Sequence, residues 1–263
     1  MLELYQFELS EYCEKVRFIL DYKGLEYRKI EVTPGLGQLE VFRLSGQRQV
    51  PVLKDGGRVV ADSTAIVRYL EEQYPDRPIL PTDAKQKALT LILEEWADEA
   101  IGINARKALV SAVSDSQSFR TSLLPSSTPP FLKNLVGAVP GEVLNALATG
   151  MGATGEVVKN AKDALKQDLD SLVVLLADSP YLTGSQPTLA DFAVAAMTLY
   201  IKFPDGPYLD IPGDLRGKGV PGLAENPAYA SFFTWRDRLY QSFRKPLGDQ
   251  AISDTAPTRI QID

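Results

Sequence analysis

The hydrophobic positions of the chain follow two patterns, which change at a proline-rich stretch near residue 78. Before that stretch, short apolar runs that are typical of strands alternate with segments of helical period. Four strands are predicted: one begins at Leu2, and the others cover residues 26–32, 50–53 and 58–61. An Asp-Gly-Gly turn joins the last two as a hairpin. Three helices are predicted. The first begins at Ser10 and has Gly24 as its C-cap, the second follows the turn at residues 33–37, and the third begins at Asp62. The predicted order is therefore βαβαββα.

After the proline-rich stretch, the hydrophobic positions recur with the period of an α-helix. One face of a first long helix is predicted at Leu89, Ile92, Leu93, Trp96, Ala100 and Ile103, and that of a second at Leu165, Leu169, Leu172 and Leu176. Thr188 and Asp191 have capping-box spacing at the start of another helix, and we assign them to folding. We therefore predict a first domain over residues 1–76, a linker over 77–84, an all-helical domain over 85–246 and a polar tail over 247–263.

The predicted helical domain contains an unusually apolar stretch at about residues 111–160. Between residues 121 and 155, only Lys133 and Glu142 are charged. An amphipathic segment broken at Gly137 and Pro140 is predicted from Leu135, Val139, Val143, Leu144 and Leu147. Three hypotheses remain open for this stretch: a wall of a hydrophobic co-substrate site, a subunit interface, or a contact with a membrane surface. A Gly- and Pro-rich loop over residues 203–223 is expected to border the same site.

The composition excludes several classes of function. A net charge of -6 argues against a nucleic-acid partner, because a nucleic-acid surface needs clustered Lys and Arg. The chain has no histidine, which excludes Ser-His-Asp and Cys-His sites and His-ligated zinc, and we expect no metal. One cysteine excludes an internal disulfide. Since neither a signal peptide nor an apolar run of about 20 residues is found, we expect a cytoplasmic protein without a membrane span.

The strongest local signal follows the first strand, where Ser10 and Cys13 begin a helix. A helix N-terminus favours negative charge, so a bound thiolate would be stabilised there. Ser10 is also explained as an ordinary N-cap, and Lys15 and Arg17 as a solvated or salt-bridged helix face. Cys13 holds the second position of a Cys-x-x-Cys-like motif in which Ser10 holds the first. It is therefore either a candidate redox residue or a small buried hydrophobe.

Three separated motifs, in the right order, carry a family resemblance. Residues 10–17 are similar to the Ser-x-x-x-x-(Lys/Arg)-Val-Arg segment of the serine-type glutathione transferases, especially the zeta and tau classes. Gln49-Val50-Pro51 resembles the family's Val-Pro, whose proline is cis, and residues 62–66 resemble its (Glu/Gln/Asp)-Ser-x-Ala-Ile. Over most of its length the chain resembles the cytosolic glutathione transferases. The resemblance implies an α/β thioredoxin-like first domain with a mixed four-stranded sheet and an all-α second domain, in which the apolar stretch is atypical.

The resemblance also implies which residues bind glutathione. The backbone of Val50, turned by Pro51, would pair with the cysteinyl part of glutathione as an added strand would. Ser63 would take the γ-glutamyl carboxylate at a helix start, while Asp62 would take the α-ammonium group. Gln49 would lie near the glycyl end.

The implied function is that of a glutathione S-transferase that takes part in detoxification. The Ser10 hydroxyl would hold the thiolate of the co-substrate glutathione, which then adds to, substitutes or isomerises a small apolar electrophile. The resemblance favours a homodimer. Two alternatives remain open: a non-catalytic binding or scaffold protein with this fold, or a Cys13-dependent glutathione thiol transferase or reductase.

Overall fold

The computed structural model describes residues 1–32, 36–115, 120–121, 130–141, 143 and 154–249. The chain divides into two compact units, Met1–Pro78 together with Gly248 and Asp249, and Ile79–Leu247. Within the described residues, no helix is both long enough and apolar enough to cross a membrane.

The first unit has the predicted order βαβαββα. Its elements are β1 (Leu2–Gln6), α1 (Glu11–Tyr22), β2 (Tyr27–Glu31), α2 (Leu36–Ser45), β3 (Val52–Asp55), β4 (Arg58–Ala61) and α3 (Ser63–Gln73). The strands form one sheet in the order β2-β1-β3-β4, in which β1 is parallel to β2 and antiparallel to β3. The hairpin of β3 and β4 is antiparallel. The mixed four-stranded sheet and the thioredoxin-like first domain are therefore confirmed.

Helix α1 is buried on every side rather than on one face. Its apolar side chains are completely covered: Cys13, Val16, Phe18, Ile19 and Leu20. Lys15 and Arg17 are covered as well, so of the two predicted alternatives the solvated face is wrong, while the salt-bridged one is confirmed for Arg17, which pairs with Glu14 at 2.6 Å. The helix ends with Lys23 as its C-cap, and Gly24, predicted as the cap, follows it with a φ of 71°. Glycine fits this position because it adopts positive φ without a Cβ clash.

The second unit is helical, as predicted. Its elements are α4 (Ala84–Trp96), a π-helical segment (Ala97–Gly102), α5 (Ile103–Asp115), α6 (Pro130–Ala138), α7 (Gly155–Leu175), α8 (Leu189–Met197) and α9 (Ala230–Phe243), with short 3-10 turns at Gly213–Leu215 and Pro227–Tyr229. Every residue of α8 is buried, so this helix forms the centre of the unit. The predicted apolar face of α7 is confirmed at Leu165, Leu169 and Leu172, which are fully buried.

The predicted apolar face of α4 is wrong at Leu89 and Ile92, while Leu93 and Trp96 are half-buried. Leu89 and Ile92 are 44% and 64% exposed, whereas the neighbouring positions Thr90 and Glu94 are buried. Thr90 can be buried because its hydroxyl donates to the Gln86 carbonyl at 2.9 Å. Helix α4 packs against the alanine-rich helix α8.

The apolar stretch is only partly covered by the described residues. Helix α6 includes Gly137, contrary to the predicted break there, and ends before Pro140, where the second break was predicted. Phe131 and Leu135 on α6 are 69% and 64% exposed. The predicted apolar positions Leu144 and Leu147, the turn residues 33–35 and the tail residues 250–263 lie outside the described residues.

The loop over residues 203–223 is packed into the second unit rather than extended over it. Its apolar side chains are buried: Phe203, Leu209, Ile211, Leu215, Val220 and Leu223. A Cβ on Gly219 would lie 2.0 Å from the carbonyl oxygen of Ile201, so only glycine permits this close backbone approach.

Candidate active site

Ser10 lies between the end of β1 and the start of α1, where it is the N-cap of the helix. Its amide donates to the Phe7 carbonyl at 3.0 Å, which closes the turn before the helix. Its hydroxyl oxygen accepts from the amide of Cys13 at 3.3 Å. A hydroxyl carries one donor and two acceptor positions, so capping leaves the hydroxyl proton available for donation. The N-cap role and a thiolate-binding role are therefore compatible in one residue.

Cys13 is one turn further along α1, with no exposed surface. Burial raises the pKa of its thiol to about 11, although the Arg17 guanidinium and a hydrogen bond with Ser10 act in the opposite direction. At neutral pH this thiol is protonated, and the thiol form is a poor nucleophile. The structure therefore places Cys13 in the core and gives no support to thiol chemistry at this residue.

The peptide bond between Val50 and Pro51 is cis, as the resemblance implies. Val50 is half-buried and lies just before β3, while Gln49 beside it is exposed. Among the described residues, no hydrogen bond uses the amide or the carbonyl of Val50. A partly buried backbone that offers a donor and an acceptor can pair with an extended peptide.

The start of α3 combines a carboxylate, a hydroxyl and a helix N-terminus. Asp62 is the N-cap, with a φ of 79°, and its Oδ1 accepts from the Ala65 amide at 3.0 Å. Ser63 is only 3% exposed, yet no hydrogen bond between described residues uses its amide or its hydroxyl. Unused donors at a helix N-terminus form a site for an anion such as a carboxylate. The exposed Asp62 carboxylate beside them is suited to an ammonium group.

The sheet register brings these three segments to one edge. Tyr5 near the end of β1 pairs with Val52 at the start of β3, and Val52 pairs with Ala61 at the end of β4. The chain leaves β1 toward Ser10, enters β3 from Pro51 and leaves β4 toward Asp62. The Ser10 hydroxyl, the cis-proline segment and the start of α3 therefore all come next to strand ends that lie at the same edge of the sheet.

Two buried cations on α1 belong to the surroundings of this site, and the sequence interpretation missed them. The Arg17 side chain donates to the Glu8 carbonyl in the turn before Ser10, and Lys15 donates to the Thr64 hydroxyl at the start of α3. Phe18 and Ile19, one turn after Lys15, indicated apolar surroundings for that residue, whereas Arg17 is flanked on the helix by Glu14 and Asp21, so the spacing along α1 does not reveal its burial.

Domain models of a known family match parts of both units of the chain. The model of the glutathione S-transferase N-terminal domain matches residues 4–78, and that of the C-terminal domain matches residues 155–225. Glutathione S-transferase 1 of Dianthus caryophyllus is 32% identical over 199 residues, which are 74% of each chain. A zeta-class glutathione S-transferase of Euphorbia esula is 41% identical over 91 residues, 34% of this chain and 40% of the relative.

Similarity in structure covers nearly the whole chain. A crystal structure of a glutathione S-transferase from Rhodospirillum rubrum F11 has a TM-score of 0.64 and 22% identity, covering 98% of this chain and 97% of the other. At that identity the likeness shows the fold. The two domain matches and the long alignment to the Dianthus caryophyllus protein show more. The chain belongs to the glutathione S-transferase family, and it is an enzyme that uses glutathione as its co-substrate.

Proposed function

We propose that this glutathione S-transferase reacts glutathione with a small apolar electrophile and that Ser10 stabilises the glutathione thiolate. One observation carries the proposal. The chain's one thiol, Cys13, is fully buried with a pKa near 11, whereas the Ser10 hydroxyl at the start of the same helix is partly accessible. The reacting sulfur must then come from the co-substrate.

The proposed chemistry needs little from the protein beyond a donor and a position. The Ser10 hydroxyl donates to the glutathione sulfur, and the N-terminus of α1 favours the negative charge. Both effects lower the thiol pKa, so that more thiolate is present at neutral pH. The thiolate then attacks the electrophile by addition or substitution, or adds reversibly to assist an isomerisation.

The remaining glutathione contacts are proposed for the same sheet edge, within a glutathione-binding domain of residues 1–76. Val50, ahead of Pro51, is assigned to the backbone of the cysteinyl part of glutathione, because no hydrogen bond between described residues uses its amide or its carbonyl. Ser63 is assigned to the γ-glutamyl carboxylate, because its amide and hydroxyl are likewise unused among the described residues. Asp62 is assigned to the α-ammonium group. Gln49 is exposed beside Val50 and is assigned to the glycyl end.

The choice of electrophile is proposed to reside in the helical domain, residues 85–246. Detoxification and a homodimer belong to the same proposal, and they rest on the family resemblance. A cytoplasmic location is proposed as well, on the ground that the chain has a single cysteine. Each is independent of the assignment of Ser10.

Two assays on the purified protein test the proposal. We expect the protein to bind immobilised glutathione and to conjugate a generic aromatic electrophile. Ser10→Ala should lower kcat/KM by about 100-fold, the typical cost of removing one donor from a developing anion. Cys13→Ala is the matched control on the same helix, and it should retain activity because the thiol lies in the core.

Two outcomes would contradict the proposal. A wild-type protein that fails both assays would exclude the proposed reaction. Activity that survives Ser10→Ala and disappears in Cys13→Ala would instead identify Cys13 as the reacting group, as in the thiol transferase alternative.

A further inference from the structure

Helix α1 carries two cations, Lys15 and Arg17, that are fully buried although neither has a place in the proposed chemistry. Removing a charge from water is unfavourable unless bonded partners compensate for it. Two residues along a helix differ by about 200° in direction, so the two side chains leave α1 on opposite sides. Each reaches a different part of the candidate active site.

Arg17 is bonded to the turn that carries Ser10. Its Nη2 donates to the Glu8 carbonyl at 2.7 Å, and its Nη1 donates to the Gln6 Oε1 at 2.6 Å. Its Nε pairs with Glu14 at 2.6 Å. The planar guanidinium therefore joins the last residue of β1, the turn and α1 in one fixed geometry.

The turn is held from its other side as well. The Glu8 amide donates to the Glu31 carboxylate at 2.9 Å, and the Glu8 carboxylate accepts from Gln6 at 2.9 Å and from Lys29 at 3.4 Å. The pKa of Glu31 is raised by burial, and the hydrogen bond from the Glu8 amide offsets only part of this increase. The carboxylates of Glu14 and Glu8 balance the Arg17 charge, so the contribution of Arg17 to the site is positional more than electrostatic.

Lys15 is bonded to the other part of the site. Its Nζ donates to the Thr64 hydroxyl at 3.3 Å, in the first turn of α3 and directly after Ser63. The buried ammonium thereby connects α1 to the helix start that is proposed to hold the γ-glutamyl carboxylate.

We propose that Arg17 and Lys15 are positioning residues that divide the glutathione site: Arg17 fixes the Ser10 hydroxyl at the sulfur, and Lys15 fixes the start of α3 at the γ-glutamyl end. The proposal rests on the proposed function of this site. It assigns different kinetic effects to two charges that are two residues apart on one helix.

Three variants test the division. Arg17→Lys keeps the charge and loses the planar fork, so it separates position from charge. Lys15→Met removes the ammonium group at similar side-chain length. Lys23→Met is the matched control, because Lys23 is a buried cation at the opposite end of α1, bonded to the Tyr74 carbonyl at 2.9 Å and paired with Glu71 at 2.7 Å. About 13 residues of helix, roughly 20 Å, separate it from Ser10.

Steady-state kinetics and glutathione affinity give the first readout. For Arg17→Lys we expect kcat about 10-fold lower and an upward shift of the pH profile of kcat/KM, with the glutathione Kd changed less than about twofold. For Lys15→Met we expect a Kd about 10-fold higher and a nearly unchanged kcat. Lys23→Met should change neither. Equal effects of all three variants, or kcat and Kd changing together in each, would overturn the division.

Amide hydrogen exchange of the free protein gives a second readout that needs no glutathione. Arg17→Lys should speed exchange at the Glu8 and Ser10 amides, which are bonded in the turn, without affecting Ala65. Lys15→Met should do the reverse. If the wild type binds no glutathione, the proposed function fails, and the exchange pattern still decides whether each cation fixes its own segment. Exchange that changes equally in both segments would overturn the proposal.

Discussion

Two helix starts of this protein combine an aspartate with a hydroxyl and use the pair in opposite ways. At the start of α8, the Asp191 carboxylate is fully buried and accepts from the Leu182 amide at 2.8 Å, the Thr188 amide at 2.8 Å and the Thr188 hydroxyl at 3.0 Å. At the start of α3, Asp62 caps the helix through the Ala65 amide, and Ser63 keeps an amide and a hydroxyl unused among the described residues.

The difference follows from the position of the acid. In α8 the aspartate is three residues after the hydroxyl, so it reaches back to the cap and closes the box. In α3 the aspartate is itself the cap, and the hydroxyl comes next, where the cap carboxylate does not bond it. A closed start stabilises the fold, whereas an open start offers its donors to a ligand. Ser10 is similar to the open type, because its hydroxyl caps α1 as an acceptor and has the capacity to donate as well.

The largest effect is expected when the closed start is opened. Asp191→Ala leaves three buried donors without an acceptor, and each such donor costs about 1–3 kcal/mol. We expect the free energy of unfolding, measured by urea denaturation, to fall by about 3 kcal/mol. Thr154→Ala at the start of α7 is the control, since it removes a single cap bond worth about 1 kcal/mol. If both variants lost the same free energy of unfolding, the buried box at Asp191 would contribute no more than an ordinary cap, which would contradict this account.

A smaller effect, on binding rather than on stability, is expected at the open start. Ser63→Ala removes a hydroxyl that bonds no described residue, so the unfolding free energy should change by less than about 0.5 kcal/mol. The glutathione Kd should rise about 10-fold, since a hydrogen bond to a charged group contributes about 1.5 kcal/mol or more. Calorimetric titration with glutathione measures this. A large loss of stability with an unchanged Kd would show that the α3 start serves the fold.

The smallest effect concerns the pH dependence of the closed start. Burial raises the pKa of Asp191 from 3.8 to about 6, despite the opposing bonds from Leu182 and Thr188. Between these values the folded protein binds a proton that the unfolded chain does not, so this contribution to stability falls as pH rises toward 6 and is constant above. From pH 5.5 to 7, wild type should therefore lose up to about 1 kcal/mol relative to Asp191→Asn. Urea titrations at both pH values measure the difference, and an increase in the relative stability of wild type would contradict the assignment.

Local patterns predicted much of this molecule. The βαβαββα order and the box at Thr188 and Asp191 depend on nearby residues, so they could be inferred from sequence, whereas the cis bond before Pro51 was implied by the family resemblance. The convergence of Ser10 with Asp62 needed the sheet register, which brings the segments that carry them to one edge.

Packing between elements decided the features that sequence missed. Arg17 is buried because Gln6, Glu8 and Glu14 lie where they can bond all three of its nitrogens, and no spacing along α1 reveals this. Leu89 on α4 is exposed although it is apolar, while the next residue, Thr90, is buried on a helix that packs against α8. Hydrophobic period predicts that a helix has a buried face, but the neighbouring helix selects which one.

The pKa of the glutathione thiol in its complex with the protein tests the role of Ser10 most directly. Thiolate absorbance in the ultraviolet, followed across pH for wild type and Ser10→Ala, measures it without an electrophile. We expect the wild-type value to lie well below the roughly 8.5 of a free cysteine thiol, and the Ser10→Ala value to return by about 2 units toward it. The same lowered pKa in both proteins would contradict the assignment of Ser10 as the group that holds the thiolate.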